Sequence, residues 1–503
     1  MFPSQLRPAV FWIPFGFLLV TTGLSLYDKA TFFTAVTSVN QFILSTFGPL
    51  FSWTTFLAVV LMVVVYLSPL AQLRIGGANA RPQLNRWQWF TITLTTTIAT
   101  GILFWGCAEP LYHLHQPPEG SGVTATTVPA RRFAMSTMFL HWTITPYSIY
   151  TTMALMFAIC YYNRNTSFSL SSILQPALGP VLATRLGGTT DIICLFALVA
   201  GMAASLGAGM LTISGGLQYL FALPPSVLQY AMIGGGLVLA FCLSSASGLM
   251  RGIRVLSDYN IRAFVLLAIF VVVCGPTIDL FCIGGEGLVA YAKNFLPHST
   301  HLFRPLATEW QQSWSTFYWA NWLAWAPVTA LFLGRIGYGY RVRDFIHFNL
   351  LLPALFGALW MIIFSGTVLH FDQADSEFPM YNILQQLGPE RVIYAVFEHL
   401  PFSRLVSVLF LFLVFLSYVT AADSNTSAMS SISVHDHPDV LSEAPLRIKL
   451  AWGILIGLVA WTMIAYAGID GLKIISTLGG FPALFLLIVV MIGFIRLLWR
   501  WQV

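Results

Sequence analysis

The chain alternates uncharged apolar runs with short connections that hold most of its charge. A bilayer's hydrocarbon core, about 30 Å thick, is crossed by roughly 20 helical residues. Cutting the long runs at polar or Gly/Pro clusters predicts twelve helices, near residues 9–27, 50–70, 88–111, 135–161, 191–214, 229–248, 258–282, 315–336, 348–370, 404–424, 450–468 and 474–497. The uncharged stretch from Ile192 to Met250 is too long for one helix and divides at the Leu223-Pro224-Pro225 turn. Barrel strands would alternate in polarity over about ten residues, and these runs do not. The pattern predicts an all-α polytopic membrane protein.

Composition narrows the alternatives. Of 503 residues only 9% are charged and 57% are hydrophobic, where a soluble protein carries about 25% charged residues. An aromatic content of 15% excludes a disordered chain, which is poor in such residues. The net charge of +5 comes from 24 basic and 19 acidic residues scattered through short loops, without the basic block that a nucleic-acid partner requires. The six cysteines, Cys107, Cys160, Cys194, Cys242, Cys274 and Cys282, fall in or beside apolar segments and read as packing residues, not as disulfides or a metal site. With both ends on one side, that side holds fifteen Lys and Arg against eight on the other, which predicts cytoplasmic termini. The first apolar run reads as a retained span, not a signal peptide. Connections 283–309 and 425–447 are long enough for helices lying along the membrane, and the acidic segment 372–398 reads as an external loop.

The eighth predicted span holds the strongest chemical signal. Trp319, Trp322 and Trp325 recur every third residue, and each step falls about 60° short of a full turn, so their rings spread over about 120° of one face. Indole faces turned inward can hold a quaternary ammonium, which has no N–H to donate, whereas a carboxylate at bilayer depth carries a large desolvation cost. Tryptophan at the lipid interface is the common alternative. A belt, however, occupies a turn or so near one interface, and this cluster runs from the span's start to its middle. Pro327 frees a backbone carbonyl there, as is tolerated where backbone lines a cavity or is buried in protein. In the fourth span Trp142, Pro146 and Tyr150 lie within about 80° of one another, while Tyr147 stands some 140° from Trp142 and borders the site. His141 reads as a hydrogen-bonded structural residue, with a proton carrier as the alternative. The third span collects Thr95, Thr96, Thr97, Thr100, Gly101 and Gly106. It reads either as a discontinuous helix with free N–H groups or as small residues for close packing, and Glu109-Pro110 reads as its end.

These residues resemble the betaine/carnitine/choline transporter family. The resemblance rests on Phe104-Trp105-Gly106 with Glu109-Pro110, His141-Trp142 with Tyr150, Ala204-Ser205-Leu206-Gly207, Gly252-Ile253-Arg254 with Ser257, the Trp-rich eighth span through Phe332-Leu333-Gly334-Arg335-Ile336, and Thr420-Ala421-Ala422-Asp423-Ser424. It implies twelve transmembrane helices in a LeuT-type five-plus-five inverted repeat preceded by two extra helices. The divisions are 1–86 for the extra helices, 87–282 for the first repeat, 283–314 for an external interfacial segment and 315–503 for the second repeat. It further implies a homotrimer in the plasma (inner) membrane, in contact with membrane lipid, carrying a small quaternary-ammonium substrate by alternating access without a cofactor or metal. By position, Trp142 and Trp322 resemble the cage and Tyr112 the tyrosine that completes it in carnitine exchangers, while Trp319 is a candidate binding residue from its place in the Trp repeat. Tyr147 and Tyr150 resemble the outer gate, Trp325 the aromatic on the inward path and Trp314 an outer or regulatory contact. Asn321 stands where the family has tryptophan, which makes one wall more polar.

Departures from the family pattern bear on coupling. Thr97-Ile98-Ala99-Thr100-Gly101 replaces a glycine-rich stretch, Ala204 a threonine and Ala421 a serine. A methyl group cannot coordinate sodium, which needs hard oxygen ligands. Sodium-independent exchange or uniport is therefore expected, with proton-coupled or sodium-coupled symport as the alternatives. Carnitine exchangers place an arginine where this chain has Asn260. Arg262, about 200° away around the helix, is a possible substitute for the ion or else snorkels to the interface. An intramembrane enzyme would have to use Asp423-Ser424, His141 and Glu109, which sit on three distant spans. A channel would need a continuous polar lining.

Overall fold

The computed structural model describes residues 6–97, 100–246, 250–300, 308–374, 379–434 and 445–501; among them the fold is helical and forms no β-sheet. Helix α1 (Pro8–Tyr27) meets α2 (Lys29–Leu67) at Asp28, whose carboxylate accepts from the Thr31 amide at 3.2 Å and caps α2. At 39 residues, α2 is far longer than the predicted 50–70, because polar residues such as Asn40 and Gln41 interrupt the apolar signal without ending the helix. Helices α3 (Arg86–Thr97) and α4 (Thr100–His115) meet at 58°, as the discontinuous reading of the third span predicts; Ile98 and Ala99 lie outside the described residues. Pro110 does not end α4, which runs on to His115.

The fourth span is two helices, α5 (Val128–Trp142) and α6 (Ile144–Ala158), broken at Thr143 with φ −122° and ψ −113°. Pro146 has no N–H to offer the Trp142 carbonyl, which weakens the ladder at that turn. Helices α7 (Gly187–Phe221) and α8 (Val227–Ala246) flank the predicted Leu223-Pro224-Pro225 turn. Helix α9 (Met250–Cys274) ends at Gly275-Pro276, short of the predicted residue 282, and α10 (Thr277–Thr300) leaves it at 110° as the helix expected in the following connection. A π-turn over Gln312–Thr316 leads into α11 (Phe317–Ile336), and α12 (Leu352–Ala374) follows. The acidic segment expected to be a loop contains α13 (Met380–Leu387) and α14 (Pro389–Glu398). Helix α15 (Ser403–Ile432) continues beyond its predicted end, and residues 435–444 of the following connection lie outside the described residues. Helix α16 (Leu446–Trp501) turns at Gly468, φ 54° and ψ −133°, a conformation open to glycine; the two parts match the last two predicted spans.

Among the described residues, eight helices are long and apolar enough to cross a membrane, or ten when each bent pair forms one span. That figure takes α16 as one and leaves out the Trp-rich α11. Exposed apolar side chains form stripes at helical spacing, such as Leu405, Val408, Leu409 and Phe412 on α15 and Leu266, Ile269 and Val273 on α9. The centre is α7, buried along most of its length against α16. Glycine permits that approach: a Cβ on Gly207 would meet Leu472 at 2.5 Å, one on Gly479 would meet Ala200 at 2.4 Å, and one on Gly480 would stand 2.0 Å from the Ala320 carbonyl oxygen.

Backbone cannot yield as a side-chain tip can, so Gly480→Ala should destabilise the protein by about 1–3 kcal/mol through overpacking. Gly285→Ala, which meets nothing within 4 Å, should be neutral. Melting temperatures in detergent check both, and equal melting of the two variants would refute the close contact.

Candidate functional site

Three departures from regular helix meet at one cavity. Its lining includes Thr97 and Gly101 on either side of the α3–α4 bend, Trp142 just before the α5–α6 break, and Leu472 and Ser476 just after the Gly468 turn. Tyr150, Ala204, Ser205 and Ala208 complete one side, and Trp105, Phe317, Asn321, Trp322 and Trp325 the other. The enclosed space is about 50 Å³, the liquid volume of one or two waters.

The aromatic wall is built edge to face. Trp322 lies 5.6 Å from Trp142 with the rings at 79°, and 5.3 Å from Tyr150 with the rings at 68°. Gly101 lets the Trp142 ring come within 3.4 Å of where a Cβ would be, and Gly201 does the same for Trp325 at 3.1 Å. The Thr143 break leaves the His141 carbonyl able to accept the Trp322 Nε1–H at 3.1 Å, so the backbone irregularity itself orients the ring. Across the cavity, Ser476 Oγ donates to Asn321 Oδ1 at 3.0 Å and ties α11 to α16.

Behind the rings lies a fully buried carboxylate. Glu109 Oε2 accepts from Trp142 Nε1 at 2.8 Å and from the Tyr318 hydroxyl at 2.5 Å. Glu109 Oε1 accepts from His141 Nδ1 at 2.7 Å and from His113 Nε2 at 3.1 Å. His141 Nε2 faces Ser315 Oγ at 3.0 Å, so the imidazole links the carboxylate on one side to the serine on the other. The ligand atoms of Glu109, His113 and His141 lie within 4.8 Å of one another, near enough for a metal ion, yet these contacts already form a joined hydrogen-bond network. The expectation that Glu109 and His141 are far apart is thus corrected: the crossing of α4 and α5 puts them in contact. Asp423 remains elsewhere, accepting from Ser244 at 3.0 Å.

The predicted site residues divide into three groups. Trp142, Tyr150, Asn321, Trp322 and Trp325 line the cavity, and Tyr147 is buried behind it with its ring 5.9 Å from Trp322. Trp319 does not reach the cavity. It is fully buried beside His141, with ring centroids 5.7 Å apart, because its step around α11 carries it to the back of the wall. Tyr112 packs on Trp314 at 5.2 Å, away from the cavity lining. Arg262 is not brought into the core: its side chain is 62% exposed and pairs with Asp258, one turn earlier, at 2.7 Å. Asn260 is buried, accepting from Ser417 at 3.1 Å. The side chains of Gly252, Ile253, Arg254, Ser257 and Ser424 lie outside the described residues. Sequence reasoning missed His113, Tyr318, Ser315 and Lys473. The i,i+4 spacing of Glu109 and His113 was the available signal for the first.

A family model described as BCCT, betaine/carnitine/choline family transporter, matches residues 9–502. The chain is 28% identical to an ectoine/hydroxyectoine transporter of Virgibacillus pantothenticus, over 98% of this chain and 97% of that one. It is 28% identical to a glycine betaine transporter of Bacillus subtilis, covering 94% and 91% of the two chains. It is also 28% identical to a high-affinity choline transport protein of Escherichia coli, covering 97% and 72%.

Removing the carboxylate leaves buried donors without an acceptor. Glu109→Leu should cost about 3–5 kcal/mol, with Glu109→Gln intermediate because one acceptor oxygen survives. Thermal unfolding in detergent checks this, and a Glu109→Leu protein as stable as the parent would refute the network's structural role.

Proposed function

This chain belongs to the betaine/carnitine/choline transporter family, and from that membership we propose that it is a secondary transporter moving small quaternary-ammonium solutes across the membrane by alternating access. The observation that carries the proposal is the wall of Trp142, Tyr150 and Trp322 rings around a cavity deep among the helices. Ring faces attract a methylated cation and keep that attraction away from water. Glycine betaine and choline, named for two of the relatives, carry a fully methylated nitrogen of this kind. A cavity of about 50 Å³ cannot hold such a solute until the rings part. Admission from either face therefore calls for movement of α4, α6 and α16 about their bends, with Tyr147 and Tyr150 on one route and Trp325 against Gly201 on the other.

Transport is sodium-independent exchange or uniport in this reading. Ala204 presents a methyl group to the cavity where the family's symporters carry a hydroxyl, and Ala421, buried on α15 outside the cavity lining, stands where they carry a serine. The proposal includes a homotrimer in the inner membrane with both termini in the cytoplasm. Proton coupling is the second reading, favoured by one observation: Glu109, His113 and His141 connect directly to the cage through Trp142 Nε1 and the His141 carbonyl. His113 Nδ1 is buried without a hydrogen-bond partner among the described residues.

Counterflow in proteoliposomes separates these readings. Vesicles preloaded with glycine betaine, γ-butyrobetaine, carnitine or choline should take up the labelled compound equally with and without sodium. Strict sodium dependence would overturn the coupling proposal, and net uptake driven by an imposed pH gradient alone would select the proton reading. In binding measured by tryptophan fluorescence, Trp322→Ala should weaken a trimethylammonium ligand by about 2 kcal/mol; unchanged affinity would remove this ring from the site.

A further inference from the structure

Lys473 stands in the turn that follows the Gly468 bend. Its ammonium lies 4.3 Å from the Trp314 ring centroid, 5.6 Å from Phe317 and 6.0 Å from Trp105. Trp105 and Phe317 line the cavity, as do its own neighbours Leu472 and Ser476. Lys473 is not itself part of the lining; its ammonium lies near the start of α11, beside the Trp105 and Phe317 rings that are.

Among the described residues its ammonium makes no hydrogen bond or ion pair and lies against the rings above. Asp470 is exposed, and both oxygens of Glu109 are occupied by other donors. A positive charge beside a site for a cation repels any ligand whose only charge is positive. The repulsion becomes attraction when the ligand carries an anion of its own on the side facing Lys473. Phe317 and Trp322 are five residues apart on α11, about 7.5 Å along the helix axis, within reach of a carboxylate carried on a short alkyl spacer. Asn321, on the same wall, supplies a neutral amide beside that path.

Building on the cage reading above, we propose that Lys473 is a specificity-determining residue that pairs with the carboxylate of a zwitterionic substrate while the substrate's quaternary nitrogen rests on Trp142, Tyr150 and Trp322. The protein then selects betaine-type zwitterions over net cations of the choline type. When no carboxylate is present, the ammonium rests on the Trp314, Trp105 and Phe317 rings, and a carboxylate in the cavity draws it inward by a charge-assisted hydrogen bond.

The test compares full-length wild type with Lys473→Met, Lys473→Gln and Lys473→Arg, measuring binding of glycine betaine, γ-butyrobetaine and choline by fluorescence and by counterflow. Wild type should prefer the two zwitterions. Lys473→Met and Lys473→Gln should lose ten-fold or more in zwitterion affinity and gain several-fold for choline, inverting the ratio, while Lys473→Arg keeps the wild-type order. The two neutral variants differ in polarity, so a folding defect in one leaves the other to report the ratio. An unchanged zwitterion-to-choline ratio, whatever happens to absolute affinity, overturns the role given to Lys473 and leaves the cage intact. Failure of wild type to bind any of the three compounds overturns the cage reading and this one with it.

Discussion

A carboxylate shut among apolar side chains is stable only while its oxygens are met by donors, and Glu109 imposes that condition on three helices at once. Its donors come from α4 itself, from the last two residues of α5 and from α11. These helices can shift together with the cluster intact, whereas a shift of one against the others parts a donor from the carboxylate. The aromatic wall inherits this rigidity: Trp142 is held by the carboxylate directly, and Trp322 through the backbone of the histidine that the carboxylate holds. A site made only of ring contacts would be adaptable, because face and edge contacts tolerate sliding. The buried charge gives it one geometry.

Around that fixed cluster the helices are interrupted where the cavity needs them to be. Bends between Thr97 and Thr100, at Thr143 and at Gly468 each place a lining residue within a few positions of the break. Regular helix presents only side chains, so an irregular turn is what exposes carbonyls and lets small residues admit a neighbouring ring. These turns are also the natural pivots, since the helical segments on either side stay intact while the dihedrals between them change.

The span positions were legible because membrane depth forces a long uncharged run, and the Trp-rich segment was legible because helical periodicity assigns faces. Periodicity also set the limit. It grouped Trp319 with Trp322 and Trp325 over a wide arc, but which part of the arc faces the cavity depends on neighbouring helices that one helix's sequence does not describe. Glu109 beside Pro110 looked like a helix end because proline and a charge commonly mark one; the partners that justify a charge inside the span lie 32 and 209 residues away. Of the two readings open for Arg262, its exposed side chain, paired with Asp258 four positions earlier, fits the one that keeps it out of the core. Lys473 read as one more loop cation because the bend that turns it inward resides in the φ of Gly468.

The indole N–H groups of Trp142 and Trp322 are both committed, one to Glu109 and the other to the His141 carbonyl. Neither is left to bond a guest. Ring faces accept only weakly, so a primary or secondary amine set against them would leave its N–H groups short of strong acceptors, whereas a fully alkylated nitrogen has no protons to leave stranded. Discrimination between methylated solutes and ordinary amino acids would then arise from what the walls withhold.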